Sequence, residues 1–357
     1  MSVYTIWNNK GGVGKSYLTF QIASEYARQN KEKKVVVIDV CPQANSSSML
    51  LGGMVIGEDN LQDIHSATNK KTISGYVDER ILSPYVNPRT GANYLTQVCQ
   101  YNDKVSDNLY LVVGDESLEL QAPQVLSATR PGPQDAWRHV HLWFRGLVDD
   151  IQDRFVDEDL TVFIDCNPSF SIYTTMALAA SDRLIIPFSA DGSSKRAVKS
   201  VISLVYGKTR SHSSTSAGAT SEYHRNSAAY RMQVPKIYMY VGNRMTQMND
   251  GSASAFKHVV NDITDEIWTV WQTDPSSFQV HPDGSATPNN KKVFKSMFLY
   301  EIKDANTASV FSGATGTPMS VMTAGPSKNM NGKRVTINQS QLDKQKPNII
   351  DLVSRIE

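Results

Sequence analysis

Short apolar runs recur along the chain at residues 3–7, 34–39, 109–113, 160–165, 184–188 and 236–241, each four to eight residues long and each bounded by polar positions. Runs of that length without strict alternation predict strands buried on both faces, as in a parallel sheet. Between them the apolar spacing changes to three and four. Trp137, Val140, Phe144, Leu147, Val148, Ile151 and Phe155 follow it, as do Phe256, Val259, Val260, Ile263, Ile267 and Val270. Residues 17–30 predict a further helix, and Ile349, Ile350, Leu352, Val353 and Ile356 a packed terminal one. Strands alternating with helices predict an α/β fold, a mostly parallel twisted sheet with helices on both faces and ligands at the carboxyl ends of its strands.

Four polar stretches interrupt this pattern, at 57–108, 208–229, 273–290 and 313–334, and are expected to be insertions in a single domain spanning 1–357. The second contains a Ser/Thr/Gly-rich run expected to be a mobile loop. The 357 residues suffice for a substantial core. With 36 Lys and Arg against 35 Asp and Glu, no global field favours nucleic acid or membrane, so any DNA contact must use a local patch. Cys41, Cys99 and Cys166 form no C-x-x-C pair, which argues against a zinc or iron–sulfur site and suits a reducing cytoplasm. Neither a signal peptide nor a membrane span is expected.

The chemistry is concentrated behind the first strand, at Asn8-Asn9-Lys10-Gly11-Gly12-Val13-Gly14-Lys15-Ser16, followed at once by a helical pattern. Strand, glycine-rich turn and helix in this order make a phosphate-binding loop. The glycines let successive N–H groups turn inward on the phosphates, Lys15 reaches their outer oxygens, and the Ser16 hydroxyl can ligate Mg²⁺. A nucleoside triphosphate, ATP with Mg²⁺, is the expected ligand. The chain has Asn9 and Lys10 where the general pattern begins with glycine. Lys10 cannot easily serve the same phosphates as Lys15, because the glycines turn the chain away between them.

This loop resembles the K-G-G-V-G-K-[ST] signature of the ParA/MinD family of dimerising ATPases, closest to the ParA-like partition ATPases. Three further segments are similar to that family's. Asp39-Val40-Cys41-Pro42-Gln43-Ala44-Asn45 resembles D-x-D-P-Q-G-N, with Cys41 in place of the second aspartate and Ala44 in place of glycine. Leu160 to Asp165 followed by Cys166-Asn167-Pro168-Ser169 resembles an apolar strand ending in D-x-P-P-S, and residues 176–187 resemble A-L-x-A-A-D-x-x-I-I-P. The resemblance covers roughly residues 1–50, 158–206, 236–244 and, loosely, 300–322.

The resemblance implies that ATP is held by Lys10, Gly11, Gly12, Val13, Gly14, Lys15 and Ser16, with Asn243 pairing to the adenine edge and Pro318 in a late loop near the base. It implies Mg²⁺ near Ser16, Asp39 and Asp165, partly through water. Lys10 would cross to the partner subunit's triphosphate, so that ATP holds a homodimer. Lys10, Lys15, Asp39 and Cys41 would form the hydrolytic machinery. The family uses the second aspartate to position the attacking water, and a neutral thiol is a poor acceptor; either turnover is slow or another residue supplies the carboxylate. Read without the resemblance, Asp165 could cap a helix, Asn243 a turn, and Lys10 could be solvated. ParA-like proteins bind DNA without sequence preference and answer to a ParB-like or other activating partner. The candidate DNA-binding clusters are Lys195, Arg196 and Lys199, then Lys328, Lys333 and Arg334, with Lys291, Lys292 and Lys295 a further possibility. A MinD-like membrane role is disfavoured because the terminal apolar segment carries only Arg355 as a positive charge.

Overall fold

The computed structural model describes residues 1–130, 132–208, 220–245, 250–330 and 332–357, with side chains except those of 244–256 and 326–328. Eight strands form one sheet: β1 (Ser2–Ile6), β2 (Lys34–Asp39), β3 (Thr96–Gln97), β4 (Leu109–Val112), β5 (Leu160–Asp165), β6 (Arg183–Phe188), β7 (Lys236–Met245) and β8 (Leu299–Lys303). Their order is β3-β4-β2-β5-β1-β6-β7-β8, and every pairing is parallel except that of the edge strand β3 with β4. The order reverses at β1, so the loop after it opens at a topological switch point, where an open α/β sheet forms its crevice.

The helices up to the middle of the chain are α1 (Lys15–Gln29), α2 (Asn45–Leu50), α3 (Ile56–Ser66), α4 (Ile73–Leu82), α5 (Leu118–Ala128), α6 (Ala136–His141) and α7 (Trp143–Arg154). They are followed by α8 (Ile172–Ala180), α9 (Ser194–Tyr206), α10 (Glu222–Ala229), α11 (Asp250–Thr273), α12 (Lys291–Phe298), α13 (Thr307–Thr315) and α14 (Gln339–Val353). Alternate residues of each strand serve opposite layers. Val36 and Ile38 of β2 join the core against α7 and α8, while Val35 and Val37 join the core against α1 and α14. Burial on both faces is why these runs are apolar at consecutive positions.

The periodicity at 137–155 is interrupted at Leu142, which separates α6 from α7. All seven apolar side chains of that stripe are nevertheless buried. His141 Nδ1 lies 2.9 Å from the Trp137 carbonyl, so the ring competes for the backbone at that point.

The supposed insertions have more structure than their polarity predicts. Residues 57–108 include most of α3, all of α4 and β3, with Leu61, Ile64, Ile73, Tyr76 and Val77 buried. Residues 313–334 carry the end of α13 and most of an antiparallel hairpin, β9 (Gly325–Met330) and β10 (Lys333–Ile337). In 273–290, Phe278 bridges to Ile237 of β7 and His281 is buried against Tyr238. Of 208–229, the Ser/Thr/Gly-rich residues 209–219 lie outside the described residues, and 222–229 form α10. In each case a few large apolar side chains among many polar ones suffice to anchor the segment.

Candidate nucleotide site

The loop after β1 closes onto α1 with Gly12 at φ 75° and Gly14 at φ 79°, left-handed values that L side chains rarely adopt. Gly14 has a second constraint. A Cβ there would stand 2.2 Å from the Asn243 amide nitrogen. Lys15, the first residue of α1, is buried and turns its Nζ back to the Lys10 carbonyl at 2.9 Å. Burial lowers its pKa, and the nearby Asp165 charge works in the opposite direction. The ammonium thus waits inside the loop, where the outer oxygens of a phosphate chain would replace that carbonyl.

Asp165 lies near this lysine, with a second carboxylate, Asp39, beside it. Asp39 ends β2 and Asp165 ends the neighbouring β5, and the two are paired in register. Asp39 is fully used: its Oδ1 accepts from the Cys41 N–H at 3.0 Å, and its Oδ2 from the Ser47 N–H at 3.0 Å and the Ser47 hydroxyl at 2.8 Å. Asp165 is not. Its Oδ1 has a long contact with the Thr19 hydroxyl at 3.4 Å, its buried Oδ2 has no hydrogen-bond partner, and the nearby Ser16 and Ser46 side chains only partly offset its burial. Burial raises both carboxyls, and with the Asp39 charge beside it Asp165 is pushed up to about 7. A buried acceptor with no donor, next to a second carboxylate, fits a hard cation. Ser16 and Asp165 would hold Mg²⁺, with Asp39 acting through water because its oxygens are already engaged.

Cys41 is buried beside this pair, and burial, with Asp39 adding to it, pushes its thiol up to about 12. Burial also raises Cys166, next in sequence to Asp165. Both remain neutral thiols at neutral pH.

Lys10 stands apart from Lys15. It forms an ion pair with Asp191 and donates to the Ser189 and Ser194 hydroxyls at 3.2 and 3.3 Å, all three just beyond β6 or at the start of α9. Asp191 is held well below the usual carboxylate range by Lys10 and the neighbouring serines, against a counteracting burial effect that is the largest single contribution. Ser189, Asp191 and Ser194 take their role from Lys10, far away along the chain, and Ser47 takes its role from Asp39, eight residues before it.

Asn243 and Pro318, the two residues expected near the base, have these local partners in the structure. Asn243 sits at the loop, but its NH₂ donates to the Val13 and Gly14 carbonyls at 3.0 and 3.4 Å, leaving only a buried, unpartnered Oδ1. Its NH₂ thus braces the loop. Pro318 lines a small cavity with Ser24 and Arg28 of α1 and with Lys31 just beyond it. The 313–318 segment is the end of α13 docked on the turn after α2: the Met54 N–H donates to the Ala314 carbonyl at 2.9 Å, and a Cβ on Gly316 would stand 2.6 Å from Gly52.

The basic clusters differ in availability. Lys195 pairs with Asp262 at 2.8 Å and Lys199 with Glu266 at 3.1 Å, both across α9 and α11, leaving Arg196 as the exposed member. Both lysines stay partly exposed, so these pairs lower the positive charge of the cluster without burying it. Lys291 pairs with Asp265, while Lys292 is exposed and Lys295 partly so. Lys333 and Arg334 are exposed on β10; the side chain of Lys328 lies outside the described residues. Among the described residues no helix is long and apolar enough to cross a membrane, and Ile349, Leu352, Val353 and Ile356 are buried.

Comparison with known proteins agrees with this geometry. The AAA domain family AAA_31 matches residues 1–212. The chromosome partitioning protein ParA of Myxococcus xanthus is 28% identical over 195 residues, 53% of this chain and 52% of that protein, so the chain spans about half the length of this relative. Two solved structures share the fold. McdA of Cyanothece in complex with ATP has a TM-score of 0.57 at 13% identity, covering 100% of this chain and 98% of that one. The pNOB8 ParA has a TM-score of 0.55 at 15% identity, covering 99% and 96%. With its phosphate loop and paired strand-end carboxylates, the chain belongs to the ParA/MinD family of P-loop ATPases.

Proposed function

We propose that this protein is an ATP-dependent dimerising switch of the ParA type, which uses its ATP-bound dimer to hold DNA without sequence preference and so position a plasmid, chromosome or other cargo. The observation that carries this reading is the division of labour between the two loop lysines. Lys15 is buried within its own loop, whereas Lys10 points out of it toward α9 and is held there only by polar side chains. In an ATP sandwich Lys15 and the loop N–H groups hold the phosphates in cis, and Lys10 leaves Asp191 to reach the partner's nucleotide. Mg²⁺, when bound, neutralises the triphosphate and the buried carboxylates. ATP would then be part of the interface, and its loss would release the dimer.

Cys41 shapes the second half of the cycle. A buried thiol that stays protonated at neutral pH cannot accept a proton from water as a fixed carboxylate does, so turnover is slow and an activating partner gains influence over it. The same observation favours a second reading, an ATP-sensing subunit of a larger assembly in which binding matters more than turnover.

Mass measurement in solution with ATP, ADP and neither, repeated with duplex DNA and with anionic vesicles, tests both. The switch reading expects an ATP-only dimer that binds DNA with strong salt dependence, weakened by charge removal at Lys333 and Arg334. Undiminished DNA binding with ADP, or no DNA binding by a confirmed dimer at low salt, refutes the DNA role and favours the assembly subunit. Binding to vesicles alone would favour a membrane switch.

A further inference from the structure

Away from the nucleotide site, two cavities join into one groove. The larger, about 880 Å³, opens where the turn after α2, the end of α13 and the β9–β10 hairpin meet, with Val55, Ile56, Phe311, Val321 and Met322 in its lining. The smaller, about 170 Å³, lies between α1 and the 103–106 loop and includes Ser24, Arg28, Lys31 and Ser106. Asp103, Lys104 and Val321 line both. Val55, Ile56 and Val321 are 49%, 58% and 42% exposed, and Met54 beside them 60%. A contiguous exposed apolar strip with a polar rim is the mark of a protein-binding surface.

The charge at the narrow end indicates which kind of partner fits. Lys31 donates to the Ser106 hydroxyl and Lys104 to the Thr315 carbonyl at 2.8 Å, and neither has an ion-pair partner among the described residues. Arg28 spends Nε and Nη2 on Glu25, leaving Nη1. The Ser24 hydroxyl is buried without a hydrogen-bond partner. Asp103 is the one acidic side chain in the lining; Glu58 and Asp59, exposed on α3, are outside it.

We propose that this groove docks an acidic amphipathic segment of a partner protein, apolar side chains in the larger cavity and carboxylates over Lys31, Lys104 and Arg28. The apolar lining favours a peptide over nucleic acid, since a duplex offers its phosphates but nothing to fill the cavity. The groove also touches the switch. Val55 and Ile56 lie just beyond α2, whose Ser47 holds Asp39. Occupancy therefore bears on the carboxylate beside Cys41, a consequence that rests on the ATP-switch reading, whereas the docking itself does not.

The test uses the full chain and two labelled synthetic amphipathic peptides with the same leucine face, one with glutamate and the other with lysine on the polar face. Fluorescence anisotropy should show saturable binding of the glutamate peptide. Three exposed ion pairs of ordinary strength amount to roughly a 3- to 150-fold preference over the lysine peptide. The double variant Lys31→Glu, Lys104→Glu should abolish or reverse the preference, and Ile56→Asp should weaken both peptides; all three sites are surface-accessible, and melting curves confirm folding. Hydrogen exchange should slow around 54–56 and 321–323 on binding. No saturable binding, equal affinity for the two peptides, a preference unchanged by charge reversal, or displacement of the peptide by duplex DNA would each overturn the proposal. A fluorescent ATP analogue added to the same samples keeps the two readings separate: peptide failure with ATP binding intact defeats the groove alone, and loss of ATP binding defeats the switch alone.

Discussion

Replacing Asp165 with asparagine tests the claim that the nucleotide site stores a destabilising charge until a cation arrives. Asp165 is fully buried and its Oδ2 has no hydrogen-bond partner. Burial and the neighbouring Asp39 charge raise it to about 7 in the fold, against an ordinary carboxyl of 3.8. A folded-state pKa raised above the unfolded one favours the protonated form in the fold. The associated stability is fully present below the unfolded value and is lost as pH rises through about 7. At about pH 8 the loss is at most about 4 kcal/mol, shared with Asp39, and at about pH 5 it is less than half of that. Urea unfolding of the metal-free, nucleotide-free protein should therefore find Asp165→Asn more stable than the parent at the higher pH, with an advantage about 2–3 kcal/mol smaller at the lower. Adding ATP and Mg²⁺ should reverse the order, because only the parent gains the full binding contribution. A stability difference that does not change with pH, or a variant less stable than the parent at the higher pH, would refute the argument.

Asp191→Ala should release Lys10 and tighten the ATP-dependent dimer roughly 2- to 30-fold, counting one solvent-exposed pair in each subunit, with monomer ATP affinity unchanged; a weaker dimer by sedimentation would show that Asp191 supports the interface instead. Cys41→Asp should raise steady-state ATP hydrolysis by about a hundredfold or more through restored water positioning, and equal rates would remove Cys41 as the limit on turnover. Gly53→Ala should lower stability by more than about 1 kcal/mol, because Gly53 has φ 90° and an added Cβ would stand 2.4 Å from the Ala314 carbonyl oxygen; an unchanged melting temperature would contradict the close packing of this turn on α13.

Residues 1–50 and 160–188 were legible because their information is local. A glycine-rich turn between strand and helix, and an aspartate ending each of two apolar runs, carry their geometry in their own backbone preferences. β2 and β5 match the expected bounds, Lys34–Asp39 and Leu160–Asp165. β8 escaped notice because its Leu-Tyr-Glu-Ile-Lys is short and half polar, as befits an edge strand with Glu301 and Lys303 exposed. Residues 57–108 looked like an insertion because composition averages over a segment, whereas α3 and α4 are held by a few residues such as Leu61, Tyr76 and Val77.

The sequence by itself determined six of the eight sheet strands, the phosphate loop, and the cysteine in place of a carboxylate, since each depends on neighbours a few residues apart. Only the tertiary structure decided how the charged groups are used. It tied Lys10 to Asp191, paired Lys195 and Lys199 with α11 and drew Asn243 against the loop. These outcomes depend on residues about 60 to 230 positions apart that meet only when the sheet and its helices pack. A charge in a sequence shows what it can bind, and the packed chain decides whether that capacity is still free.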